Sequence, residues 1–191
     1  MAGDHEIDDR ARPGRRGLVE TDAREIRGAR EASALHQRGL PVIARKFGEE
    51  AVEAVCRFIH TEMEYVPGTT GVHTTAVDAW TDRKGVCQDY AHLTLLMLRG
   101  LGIPARYVSG YLHPEPDAEI DKTVQGQSHA WIEAWTGGWW GYDPTNDTPI
   151  TEQHVSVGVG RDYADVSPLK GIYTGGGATD LDVIVEITRL A

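Results

Sequence analysis

The chain is 191 residues long, the length of a single domain with some extension. Its 19 basic and 29 acidic residues leave a net charge of −10, which argues against a nucleic-acid binder, whose domain is normally basic. Hydrophobic residues make up 40% and charged residues 25%, enough for a core, with no apolar run of the roughly eighteen residues a membrane span needs.

Residues 1–30 read as a charged arm, with acids and arginines in equal number and little apolar periodicity, and residues 31–191 read as one catalytic domain. The opening MAGDHEIDDR is acidic where a secretory signal would be apolar. Cys56 and Cys87, the two cysteines, exclude a disulfide scaffold and suggest a reducing, cytoplasmic compartment.

From Arg45 to Tyr65 the pattern is helical, with Phe47, Ala51, Val55, Phe58, Ile59 and Met63 on one stripe before Pro67-Gly68. Thr75-x-x-Asp78 resembles a capping box that opens a second, short helix closed by Gly85. A third helix is expected from Cys87 to about Gly100, apolar nearly all round and therefore central, with Gly102 and Pro104 to stop it. Ala105–Leu112 reads as a strand, and His113–Gln127 as an acidic loop. His129–Trp135 and Trp139–Asp143 read as a hairpin, and Leu181–Ile187 as a half-buried antiparallel strand. Helices first and strands second predict an α+β fold with an antiparallel sheet.

Three residues in three elements suggest chemistry: Cys87 at a helix start, His129 at a strand start and Asp143 near the end of the next strand. A helix N-terminus favours a thiolate, a neighbouring imidazole completes a thiolate–imidazolium pair, and a carboxylate fixes the ring tautomer. Hairpin register tests part of this. A two-residue loop at Gly137-Gly138 pairs Thr136 with Trp139 and puts Asp143 on the face opposite His129. A loop of Thr136-Gly137-Gly138 pairs Trp135 with Trp139 and makes His129 and Asp143 diagonal neighbours on one face. Three-residue loops want glycine at a left-handed last position, which Gly138 would supply, so this register is expected. It also puts Trp131, Trp135 and Trp139 on the face of His129, as candidate walls of a cleft.

Three blocks, Gly85-Val86-Cys87-Gln88-Asp89-Tyr90-Ala91 with Gly102–Tyr111, Ser128–Glu133, and Gly141–Thr145, resemble the transglutaminase-like superfamily in order and approximate spacing. Val159–Val166 looks like a further block of bacterial members. The resemblance spans roughly Arg45 to Tyr173. It implies a papain/transglutaminase-like core and a Cys-His-Asp triad carried by Cys87, His129 and Asp143. It also implies acyl transfer or amide hydrolysis through a thioester on Cys87. Bacterial relatives of this kind carry a β-rich region ahead of the core, where this chain has a charge-rich segment of about 40 residues. The calcium sites of animal transglutaminases have no match here.

An oxyanion needs two donors. The Cys87 backbone N–H is the natural first, and Trp80 is a candidate second. With Gln88 and Trp131 it makes up the expected substrate-binding set. Asp89, in the first helical turn, reads as structural. Cys56 reads as packing, and Arg161 with Asp162 and Asp165 as a network that fixes a loop. The other histidines, His154 among them, show no metal-ligand spacing. A zinc site on Cys87, His129 and Asp143 would lack a fourth ligand, so neither metal nor cofactor is expected. The partner expected is a protein or peptide substrate, with no nucleic acid and no membrane. A cysteine peptidase of the same fold and a catalytically silent interaction module are the alternatives. The acidic loop before His129 suggests a basic substrate or a lysine acceptor.

Overall fold

The computed structural model describes residues 48–71, 74–167 and 184–190. The charged arm, Phe47 and residues 181–183 of the expected tail strand lie outside this set.

Helix α1 (Glu49–Glu62) buries Ala51, Val52, Val55, Cys56 and Ile59 on one side. It stops short of the Tyr65 that periodicity suggests, because Met63 turns extended and strand β1 (Glu64–Tyr65) pairs in parallel with β2 (Lys84–Gly85). Helix α2 (Ala76–Asp82) opens on the expected capping box, the Thr75 Oγ1 accepting from the Asp78 N–H and Asp78 Oδ2 from the Thr75 N–H, each at 3.2 Å. It ends at Arg83, whose φ is 55°, before Gly85 is reached.

Helix α3 (Cys87–Gly100) has the predicted bounds and is buried along most of its length. Gly102, with φ of 79°, reverses the chain after it, and the Ile103 N–H closes the turn onto the Leu98 carbonyl at 2.9 Å. Asp89 is structural, as read: it is buried, and its Oδ2 accepts from the Val86 N–H at 2.8 Å and Thr70 Oγ1 at 2.6 Å. Gly85 permits this approach, since a Cβ there would lie 2.7 Å from the Asp89 side chain.

Strands β3 (Ala105–Leu112), β5 (Gln127–Trp135), β6 (Trp139–Asp143), β7 (Thr148–Pro149) and β8 (His154–Gly160) form an antiparallel sheet in the order β7-β6-β5-β3-β8. The fold is α+β with helices on an antiparallel sheet, as the element order predicts. Val55, Ile59, Leu95 and Leu98 from the helices pack with Tyr107, Ala130, Ile132 and Tyr142 from the strands into one core.

Besides the two-residue strands β1, β2 and β7, two longer strands escape the sequence reading. Strand β4 (Thr123–Gln125) lies inside the segment taken for an acidic loop and pairs with β9 (Glu186–Thr188), whose Ile187 is half-buried between exposed neighbours. Strand β8 carries Val155, Val157 and Val159 alternating with small or polar residues, a period-two signal that glycine-rich composition obscures.

The hairpin has the expected register: Trp135 pairs with Trp139 and Ile132 with Tyr142. The left-handed residue is a correction. Gly137, with φ of 109°, carries it instead of Gly138. The Thr136 N–H donates to the Gly138 carbonyl at 3.0 Å, so pairing continues one step beyond Trp135 and the reversal falls on Gly137 alone.

Candidate active site

Cys87 is the first residue of α3, where backbone N–H groups have no intrahelical acceptor. Cys87 is partly exposed, whereas Cys56 is buried in α1; both thiols are free. Burial first, then the negative charges of Asp147 and Asp143, push the Cys56 thiol well up, which fits packing and not reactivity.

His129 stands near the start of β5. Its Nε2 meets Asp143 Oδ2 at 2.7 Å. Asp143 occupies Nε2, which leaves Nδ1 as the other ring nitrogen. Burial alone would lower the His129 pKa, but the hydrogen bond to Asp143 and the influence of the Cys87 side chain, with their charges, raise it to about 9.

Asp143, the last residue of β6, is fully buried. Burial opposes its charge, yet hydrogen bonds from His129 and His154, the His129 charge and the Asn146 amide together hold it well below the usual carboxylate range. Its Oδ1 accepts the Thr145 N–H at 2.9 Å and the Asn146 N–H at 3.3 Å, while Asn146 Nδ2 donates to Oδ2 at 2.7 Å. Asp143 is thus both a turn former ahead of Pro144 and the acceptor for His129.

The expected substrate-contacting residues fare differently. Gln88 is half-buried in the first turn of α3, beside Cys87. Trp80 lies on α2 with its ring 6.0 Å from Phe58 and the Arg83 guanidinium 3.2 Å above it. Trp131 is a correction: at 1% exposure it is a floor beneath the site and no cleft wall, its ring 6.2 Å from His129. Its place between Gly110 on β3 and the His154 ring encloses it. Trp135 and Trp139 share the expected face but stand at the hairpin tip, six residues of strand or about 20 Å from His129.

His154 is the residue that sequence reasoning missed. It opens β8, and its Nε2 lies 3.3 Å from Asp143 Oδ2. Nothing in its spacing marks it, because the contact exists only once β8 lies across the sheet from β6.

Among the described residues, His129, Asp143 and His154 also form a group with metal-ligand atoms within 4.8 Å of one another. Both imidazoles address the same Asp143 oxygen, so hydrogen bonds fill the space an ion would need. The arrangement suits proton transfer better than coordination. Arg161 forms the expected network, its Nε donating to Asp165 Oδ2 at 2.9 Å while the Ala164 N–H donates to Asp162 Oδ1.

Residues 43–144, more than half of the chain, match the family model of the transglutaminase-like superfamily. The chain belongs to that superfamily. It is 68% identical over 142 residues to an uncharacterized protein of Mycobacterium leprae, covering 74% of this chain and 51% of the relative. It is also 33% identical over 120 residues to a protein-glutamine gamma-glutamyltransferase of Pseudomonas aeruginosa, covering 61% of this chain and 17% of that one. A candidate cysteine protease of Cytophaga hutchinsonii superposes with a TM-score of 0.63 at 30% identity, over 82% of this chain and 51% of that chain. LapG of Legionella pneumophila, at 13% identity and a TM-score of 0.53, shares the fold over 73% of this chain and 84% of its own. The chain spans about half the length of the Mycobacterium leprae relative.

Proposed function

We propose that this protein is a thiol enzyme that forms an acyl-thioester from an amide and passes it to water or an amine. The reading rests on one ring: His129 Nε2 meets buried Asp143 Oδ2 at 2.7 Å, and the Cys87 side chain at the start of α3 is among the groups that favour the ring's charged form. A structural histidine needs one partner; a nucleophile–base–orienter chain needs both groups.

In this reading the Cys87 thiolate attacks the carbonyl carbon of a glutamine side-chain amide or a peptide bond. The oxyanion is met by the free N–H groups at the start of α3, from Cys87 and Gln88. His129, held as imidazolium by Asp143, gives its proton to the departing nitrogen as the C–N bond breaks. Neutral His129 then takes a proton from water or an incoming amine, which attacks the thioester and releases Cys87 as thiolate. Asp143 stays anionic throughout.

The Pseudomonas aeruginosa relative favours a glutamine donor, and the Cytophaga hutchinsonii structure favours a peptide bond. Incubation with casein and a fluorescent amine, followed by mass analysis, separates them. Amine adducts or deamidated glutamine support the first, and new termini the second. Iodoacetamide at pH 6 tests the shared core: Cys87 should alkylate much faster than Cys56 and lose that advantage in His129→Ala. Equal rates at the two cysteines would leave the silent interaction module as the better reading.

A further inference from the structure

One buried imidazole beside the site has no part in the chemistry above. The His154 side chain is only 3% exposed, and its ring packs edge-on against Trp131 with centroids 5.2 Å apart. Its Nδ1 accepts the Thr151 N–H at 3.2 Å and lies 3.3 Å from Thr151 Oγ1. A nitrogen that accepts an N–H carries no proton, so the ring proton sits on Nε2. That proton points at Asp143 Oδ2, 3.3 Å away.

We infer that His154 is a positioning residue: it fixes the Asp143 carboxylate in the orientation in which Oδ2 receives the His129 Nε2–H. The inference rests on the Cys87–His129 reading and extends it to a fourth residue. The carboxylate can turn about its Cβ–Cγ bond unless both oxygens are held. Backbone N–H groups of Thr145 and Asn146 hold Oδ1. Oδ2 meets His129, Asn146 Nδ2 and His154, and of the last two Asn146 is exposed while His154 is enclosed. A buried donor is not exchanged for water, so His154 is the lasting constraint on that oxygen.

The fold makes this contact at some expense of packing freedom. Strands β5 and β3 separate β6 from β8 in the sheet, so His154 reaches Asp143 only by passing over Trp131. Gly110, on β3, leaves room for that arrangement: a Cβ there would lie 2.1 Å from the Val155 carbonyl oxygen and 2.6 Å from the Trp131 ring. The Thr151 turn sets the ring tautomer, and the Thr151 carbonyl accepts the His154 N–H at 3.1 Å.

The test compares His154→Phe, which keeps the ring shape without donors, with His154→Gln, which restores an N–H of similar reach. Iodoacetamide alkylation of the full chain at pH 6 is followed separately at Cys87 and Cys56. A hydrogen bond to a charged group corresponds to about tenfold in rate, so His154→Phe should slow Cys87 about tenfold, with His154→Gln recovering most of it and Cys56 unchanged. In the wild type, ¹⁵N spectra should show His154 as the Nε2–H tautomer with Nδ1 unprotonated. Wild-type rates in His154→Phe, no recovery in His154→Gln, or an Nδ1–H tautomer would each overturn the positioning role. If wild-type Cys87 reacts no faster than Cys56, the nucleophile assignment itself fails and the His154 role falls with it. Should His154→Phe not fold, His154→Gln against His154→Asn makes the same comparison, since asparagine carries the donor without the reach.

Discussion

The two ends of the β5–β6 hairpin are made of the same strands and serve opposite purposes. At the tip, Trp135 and Trp139 are about half exposed, their rings T-shaped at 5.5 Å, with the Arg106 guanidinium 4.0 Å over Trp139. At the other end, His129 and Asp143 are buried and every oxygen of the carboxylate is engaged. The tip tolerates water, so its contacts are weak individually and matter through the register they fix. The site end excludes water, so each hydrogen bond there is strong and each orphaned partner costly. Register set cheaply at one end is used at the other.

Breaking the site end should have the largest effect. Asp143→Asn keeps the shape but presents an N–H or a neutral oxygen to His129, and by the triad precedent the rate of Cys87 acylation should fall about 10⁴-fold. Trp135→Ala at the tip should leave that rate nearly unchanged; a comparable loss there would erase the distinction between the ends. Gly110→Ala, beneath the site, forces a side chain against the Val155 carbonyl and Trp131, and should cost about 1–3 kcal/mol or more in urea unfolding.

The pH dependence of stability sharpens the contrast. The folded pKa of His129 is raised from 6.5 to about 9. Its charged form is therefore favoured in the folded state, and the resulting stability is fully present below about pH 6.5. That stability is lost as pH rises through about 9. Melting temperature should decline over that window in the wild type, and the decline should shrink in His129→Gln. An unchanged decline would assign it to other groups.

Smaller effects belong to the tip. Gly137→Ala places a side chain at φ of 109° and should cost about 1 kcal/mol, whereas Gly138→Ala, without a positive φ, should be neutral or slightly stabilising. The reverse result would restore the left-handed residue to Gly138. Arg106→Ala removes the partly exposed cation–π contact with Trp139 and the ion pair to Glu133 Oε2 at 2.6 Å, each worth about 0.5–1 kcal/mol in chemical unfolding.

Much of this was readable in the chain because its signals are local. The bounds of α3 followed from Cys87 after Gly85-Val86, a continuous apolar run, and Gly102-x-Pro104. The threonine–aspartate cap of α2 is a three-residue spacing. Even the His129–Asp143 pairing was accessible, since it depends on loop length and the two-residue period of strands. Errors arose where the local rule had two solutions. The reversal of the hairpin could fall on Gly137 or Gly138, and a hydrogen bond one step past the tryptophans decided it.

The chain by itself therefore determined the α+β order, the helix that begins at Cys87 and the hairpin that carries His129 and Asp143. Tertiary structure decided what surrounds them. Trp131 has the sequence position of a cleft wall and became a buried floor, because β3 approaches at Gly110 and His154 closes over the ring. His154 looked like any polar strand residue, because its contact with Asp143 spans two intervening strands. Periodicity reports which face a residue occupies; only the assembled sheet decides what lies on that face.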